Sequence, residues 1–318
     1  MKRLLFITSG PIGDCVLSTG ALEFARARLG GHPAITLVCG PLAGEIFRAV
    51  PGMERILPAQ KLPLDGHWLK LWRQLAGARF DLSVDLRGSG LTYALRCRER
   101  VIGRIRGGGG HQCARIGAVL GQEALAPKLY LDEAAHCAAK AAHPGRGFLA
   151  LGPWAKFPGK CWPADHFVQA ALRLTAPGAA LAGAPILVLG SQAEAERAQA
   201  LALACGGTAL AGRLDLLANA ALLTRAALFI GNDSGLMHVA AAAGAPTLGL
   251  FGPSDEARYA PFGPKALALR GPLSLAALKK AGWDDRHHES LFRDLTIERV
   301  LATADALLTN GSDHEARV

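Results

Sequence analysis

The chain has 318 residues, 50% of them hydrophobic and 19% charged, with a formal charge of +9; this length and mixture predict a soluble globular protein of about two domains. Its apolar runs are interrupted well short of the ~20 residues a membrane-spanning helix needs, and Leu4 to Ile7 behind Lys2 and Arg3 is too short for a secretion signal. Seven scattered cysteines without a Cys-x-x-Cys pair predict reduced thiols and a cytoplasmic protein. Neither His111-x-Cys113 nor His287-His288 has a second pair at ligand spacing, so no metal is expected.

In chain order, Leu4 to Thr8, Ile35 to Cys39, Arg55 to Leu57, Leu82 to Asp85 and Val101-Ile102 are short apolar runs that predict strands, with helices at Cys15 to Leu29, Ala43 to Val50 and Trp68 to Ala76. A further helix over Asp132 to Ala142 leads into His143 to Gly147, whose Pro and Gly make it the hinge candidate. The alternation then restarts. Strands are predicted at Phe148 to Leu151, Ile186 to Leu189, Thr208 to Leu210, Leu228 to Ile230 and Thr247 to Phe251, and helices at Ala164 to Leu174, Glu194 to Ala204, Leu214 to Arg225 and Thr296 to Leu308. Residues 311 onward are expected to be disordered. Such alternation predicts an α/β protein of two doubly wound parallel sheets, with the active site in the cleft between them.

Charge is unevenly spread. Residues 1–147 carry 20 Lys and Arg against 11 Asp and Glu, whereas residues 148–318 carry 15 of each. Arg87, Arg96, Arg98, Arg100, Arg104, Arg106 and Arg115 cluster with only Glu99 opposing them, which points to an anionic partner for the first half. Without interleaved aromatics or a nucleic-acid module, nucleic acid is not that partner.

Two polar turns carry chemistry. Gly231-Asn232-Asp233-Ser234-Gly235 follows a buried strand and precedes a small-residue helix, so Asp233 and Ser234 read equally as helix caps and as part of an anion site on unpaired helix N–H groups. His238 lies one turn further on, and Phe251-Gly252-Pro253-Ser254-Asp255 closes the next strand. Near the start, Thr8 to Asp14 puts a carboxylate after the first strand, where it reads equally as a cap or as a base for a substrate hydroxyl.

Five motifs in order, Ile12-Gly13-Asp14, Lys160-Cys161-Trp162-Pro163, Ala211-Gly212-Arg213, the Gly231 to His238 turn and Phe251 to Asp255, resemble glycosyltransferase family 9, the lipopolysaccharide heptosyltransferases. The resemblance implies a GT-B fold: residues 1–143 as an acceptor-binding Rossmann-like domain, 148–292 as the nucleotide-sugar domain, and 293–309 as a helix crossing back to the first. It implies inverting, metal-independent transfer of a sugar, heptose from ADP-heptose, onto an anionic inner-core glycolipid without a cofactor, with peripheral contact at the inner membrane. Asp14 becomes the general base, and Lys160 and Asp233 act with it. The donor site comprises Ser9, Lys156, Lys160, Glu194, Arg213, Leu214, Asp233, Ser234, Gly235 and His238; Arg87, Arg96, Arg98 and Arg100 serve the acceptor. A non-hydrolysing nucleotide-sugar epimerase and a non-catalytic GT-B-like glycan-binding protein are the alternatives. The turn Pro153 to Gly159 lacks the hydroxyl residues that some heptosyltransferases place before the lysine, and residues 271–293 match poorly.

Overall fold

The computed structural model describes the chain apart from residues 9, 61, 64–65, 104, 106–108, 281–289, 293 and 316–318, and leaves aside the side chains of 279 and 310–315. It divides into two compact units, residues 1–130 and 131–318. The first contains β1 (Arg3–Ile7), α1 (Ile12–Leu17), α2 (Thr19–Arg28), β2 (Ala34–Cys39), β3 (Met53–Pro58), α3 (His67–Leu75), β4 (Arg79–Asp85), β5 (Arg96–Ile102) and α4 (Gln112–Val119). The second contains α5 (Glu133–Ala142), β6 (Phe148–Gly152), α6 (Ala164–Thr175), β7 (Ile186–Val188), α7 (Ala195–Ala204), β8 (Thr208–Ala209), α8 (Leu216–Leu223), β9 (Ala226–Asn232), α9 (Gly235–Ala242), β10 (Thr247–Phe251), α10 (Glu256–Tyr259), β11 (Ala266–Arg270), α11 (Leu275–Lys280) and α12 (Ile297–Glu315).

Each unit holds one sheet, in the order β3-β2-β1-β4-β5 and β11-β10-β9-β6-β7-β8. Every described strand pairing is parallel. The strand order reverses between β1 and β4 in the first sheet and between β6 and β9 in the second, and ligands bind outside the carboxyl ends of strands at such points. Central strands β2, β6 and β10 are buried along their whole length, as parallel strands covered on both faces must be. Beside them, Trp162, Phe167, Leu228 and Ile230 form the core of the second unit.

Several expectations need correction. The helix predicted over Cys15 to Leu29 is two helices broken at Ser18, whose hydroxyl donates to Cys15 O at 2.8 Å while Thr19 donates to Val16 O at 2.7 Å. Such local side-chain bonds compete with the helical ladder. Ala43 to Val50 contains only a 3-10 turn, Gly44–Phe47. Strand β5 begins five residues before the predicted Val101, because an edge strand can be charged and lacks an apolar signature. Edge strand β11 is also absent from the predicted set, although four of its five residues are apolar.

Nor does the first unit extend to residue 143. Helix α5 packs on α8, and Arg225 donates to Pro144 O, Gly145 O and Ala139 O at 3.0–3.1 Å, so the predicted hinge is fastened within the second unit. Helix α12 buries Val300, Ala304 and Leu307 in the second unit's core. It continues to Glu315, through residues expected to be disordered, because extending a helix costs far less than nucleating one. Among the described residues, no helix is long and apolar enough to cross a membrane.

Candidate active site

At the β6/β9 reversal, one buried side chain organises the strand ends. Asn232, the last residue of β9 and fully buried, donates to Pro153 O at 2.7 Å and accepts from the Trp162 backbone N–H at 3.0 Å. It thereby holds both limbs of the turn between β6 and α6 against the end of β9. Trp162 is itself anchored: its ring is buried and its indole N–H donates to Leu295 O at 3.0 Å.

This bracing presents Lys160, whose ammonium donates to Asp233 Oδ2 at 3.0 Å. The pair is part-buried, with the lysine side chain 25% and the aspartate 11% exposed. An ammonium has three donors, so one bond to Asp233 leaves capacity for an anionic ligand. Helix α9 starts immediately afterwards with Ser234 as its N-cap residue in extended conformation, making no side-chain capping bond. The cap expected from Asp233-Ser234 is thus replaced: Asp233 turns to Lys160. His238, in the second turn of α9, is buried.

The neighbouring loops continue the rim. Gly212 donates its N–H to Gly190 O at 3.1 Å, tying the end of β8 to that of β7. Its φ of +75° and a would-be Cβ only 2.4 Å from Gln192 leave room for no other residue. Glu194 forms a capping box with Ser191, accepting from its N–H at 2.7 Å and its hydroxyl at 2.9 Å. Leu214 O accepts from Asn219 at 3.0 Å and Arg213 is exposed on the same loop. Lys156 is exposed, with its ammonium over the Phe157 ring at 5.2 Å. Ser9 lies outside the described residues.

At the β1/β4 reversal, Asp14 stands in the first turn of α1. The turn is compact: a Cβ on Gly40 would lie 2.0 Å from Gly10 O, and the Thr8 and Ser18 hydroxyls share a hydrogen bond of 2.7 Å. Burial pushes the Cys15 thiol far up, Cys39 and the Asp14 carboxylate add to the shift, and so a neutral thiol stands beside the carboxylate. Across the reversal, Asp85 is fully buried and accepts from Arg87 N, Ser89 N and the Ser89 hydroxyl at 2.7–3.0 Å. Arg87 stacks over Trp68 at 5.1 Å.

The other predicted acceptor arginines part company with Arg87. Arg96 pairs in register with Arg79 at the start of β4, whereas Asp85 at its end pairs with Ile102. Arg96 and Arg98 therefore flank the amino half of the edge strand and do not join the carboxyl-end site. His111 also gains a structural role, its ring accepting from the Cys113 N–H as the N-cap of α4.

Sequence reasoning missed the part Asn232 plays, although the residue sits inside the quoted motif, because its partners lie 70 and 79 residues away. It missed Arg270 too. That guanidinium donates to Gly252 O, Ser254 O and Glu256, strapping the loop after β10, and its bonds hold the Glu256 carboxyl below the usual range. An arginine on an unpredicted edge strand left no local signal.

The chain resembles known proteins in sequence and in fold. A model of glycosyltransferase family 9 (heptosyltransferase) matches residues 118–294. Lipopolysaccharide heptosyltransferase 2 of Escherichia coli (strain K12) is 31% identical over 170 residues, covering 51% of this chain and 47% of that protein. Lipopolysaccharide heptosyltransferase 1 of Pseudomonas aeruginosa is 34% identical over 140 residues, covering 44% and 38%. The chain thus spans about half the length of the curated relatives it matches. Among solved structures, the glycosyl transferase family 9 protein of Veillonella parvula superposes with TM-score 0.79 at 22% identity, over 97% of this chain and 98% of the other. ADP-heptose heptosyltransferase II of E. coli does so with TM-score 0.74 at 22% identity, over 98% and 100%. The two units thus have the GT-B fold. With more than half of its length matched by the family model, the chain belongs to glycosyltransferase family 9.

Proposed function

We propose that this protein is an inverting, metal-independent glycosyltransferase that moves heptose from ADP-heptose onto an inner-core lipopolysaccharide acceptor. The observation that carries the reading is the Lys160–Asp233 pair, braced by Asn232 at the β6/β9 reversal beside the start of α9. The names of the relatives support it: two are lipopolysaccharide heptosyltransferases, and one solved neighbour was determined with ADP-2-deoxy-2-fluoro heptose.

In this reading Asp14 accepts the proton of the acceptor hydroxyl. The oxygen attacks the anomeric carbon from the face opposite the diphosphate, and the departing electron pair goes to the diphosphate oxygen as the old bond breaks. Charge grows on that leaving group, so Lys160 and the N–H groups at Ser234 and Gly235 stabilise the transition state more than the bound donor. Asp233 holds Lys160 in place and faces the sugar, with His238 behind it. Glu194 takes the ribose hydroxyls with the carboxylate oxygen its capping box leaves over, and Arg213-Leu214 walls the base. Arg87 receives an acidic group of the acceptor.

Calorimetric titration with ADP, ADP-heptose, UDP and GDP in the presence of EDTA tests the donor. Selective binding of ADP and ADP-heptose is expected; preference for UDP or GDP would keep the fold and discard the donor assignment. Transfer abolished by EDTA and restored by a divalent cation would end the metal-independent mechanism.

A further inference from the structure

We infer that Ser254 reads a hydroxyl group of the transferred sugar and so helps to set which nucleotide sugar the protein accepts. The Phe251 to Asp255 loop is the one motif to which the donor site proposed above gives no part, yet its Gly252, Pro253 and Ser254 are all buried. Loops ordinarily run over the surface. Ser254 is 7% exposed, and among the described residues its buried hydroxyl oxygen has no hydrogen-bond partner. A buried hydroxyl that bonds to nothing costs its desolvation without return, and a partner from outside the chain accounts for it.

The rest of the loop is held firmly. Arg270 donates to the carbonyl oxygens of Gly252 and Ser254 and to the Glu256 carboxylate. The Ser254 carbonyl is thus taken by the last residue of β11, and its hydroxyl is left over. A Cβ at Gly252 would lie 2.8 Å from the Phe292 ring, so the loop is pressed against that ring as well. A hydrogen-bonding group on a backbone fixed in this way selects its partner at little ordering cost.

Strand order gives the part of the ligand that this hydroxyl meets. Strand β9 lies between β6 and β10, so the Asp233 turn has Lys160 on one flank and the Ser254 loop on the other. Asp233 donates its backbone N–H to Leu250 O at 3.1 Å, and a Cβ at Gly249 would collide with Met237 Sδ, so β10 lies close against both the turn and α9. In the proposed donor site the base belongs to the end of β8, the ribose to that of β7, and the diphosphate to Lys160 and the start of α9. The sheet runs β8, β7, β6, β9, β10, and a nucleotide sugar runs base, ribose, diphosphate, sugar. The sugar therefore falls toward β10. A serine hydroxyl both donates and accepts, which suits a sugar hydroxyl, whereas the diphosphate already has an ammonium and helix N–H groups. This role rests on the transfer reading above and adds to it a residue that discriminates among sugars.

Calorimetry with paired ligands tests it: ADP and ADP-heptose, each against the unaltered chain and against Ser254→Ala. The variant should keep its ADP affinity within twofold and lose about tenfold in ADP-heptose affinity, the scale of one hydrogen bond between neutral groups. ADP-heptose analogues that each lack one sugar hydroxyl complete the cycle. One of them should bind the unaltered chain about tenfold more weakly than ADP-heptose does, and bind Ser254→Ala with no further loss. The thermal midpoint of the variant should hold or rise, since the hydroxyl bonds to nothing in the chain. Should Ser254→Ala prove unstable, Ser254→Cys, which keeps a side chain of similar shape with a much weaker donor, takes its place. An equal fall in both affinities would put Ser254 at the nucleotide or in the scaffold and overturn the inference, and so would unchanged affinity for both. If the unaltered chain selects another nucleotide, the donor assignment fails by itself, and the same comparison of that nucleotide with its sugar conjugate still decides the role of Ser254.

Discussion

The two sheet reversals are held together in opposite ways. At β6/β9 the side-chain bonds that shape the site join residues 70, 73 and 79 positions apart, through Asn232 and the Lys160–Asp233 pair. At β1/β4 they are local: Asp85 binds residues two and four positions on, and Thr8 meets Ser18 ten positions on. A site held by long-range bonds exists only once its unit has folded, and its groups are then fixed relative to one another. A locally bonded turn is shaped by its own sequence. Fixed charges suit the stabilisation of a leaving diphosphate, which gains most from preorganisation, whereas a base has one proton to collect.

The largest effect expected is on the local side. Asp14→Ala should lower kcat by about 10²–10⁴-fold while leaving donor affinity nearly intact in calorimetry; full activity would remove its role as base. Lys160→Ala should cost roughly 10²–10³-fold in kcat/KM, and unchanged kinetics would take it out of the site.

The contrast in bracing sharpens through a matched pair. Asn232→Ala strands a buried N–H and a carbonyl and should cost roughly 2–4 kcal/mol in chemical denaturation, together with donor binding. Ser18→Ala removes short local bonds and should cost only about 1 kcal/mol. Equal costs would erase the distinction drawn here.

The smallest effect expected depends on pH. Burial alone would raise the Glu23 carboxyl, but hydrogen bonds from Arg26, Tyr130 and Lys128 outweigh it and hold it at about 2. Its folded pKa is below its unfolded one. The contribution is therefore complete above the unfolded value near 4.5 and is lost as pH falls through about 2. Glu23→Gln should destabilise the protein by roughly 2 kcal/mol at pH 7, a penalty that shrinks steadily below pH 4.5. A constant penalty across that window would deny the linkage.

Much of this was readable in advance where apolar runs are long and buried: β1, β2, β6, β9 and β10 are the expected strands, and the polar turns proposed to hold the donor follow β6 and β9. Legibility failed at edges and at a distance. Strand β5, with four charged residues among its seven, has no apolar run to betray it. Asn232 acts through partners 70 and 79 residues away, which no local pattern can display. The unit boundary was missed for a related reason: Pro and Gly at 144–147 look mobile until Arg225 is seen to hold their carbonyls.

That last contact decides how the protein can be taken apart. Helix α8 is buried from Leu217 to Leu223, apolar there except for Asn219, and α5 supplies part of its cover through Ala135 and Ala139. A fragment begun at residue 148, the boundary that composition suggests, would strip that cover and present a greasy helix to solvent, inviting aggregation. Begun at Leu131, the same fragment keeps its lid and the Arg225 clasp, and should be the one that stays in solution when the second unit is produced by itself.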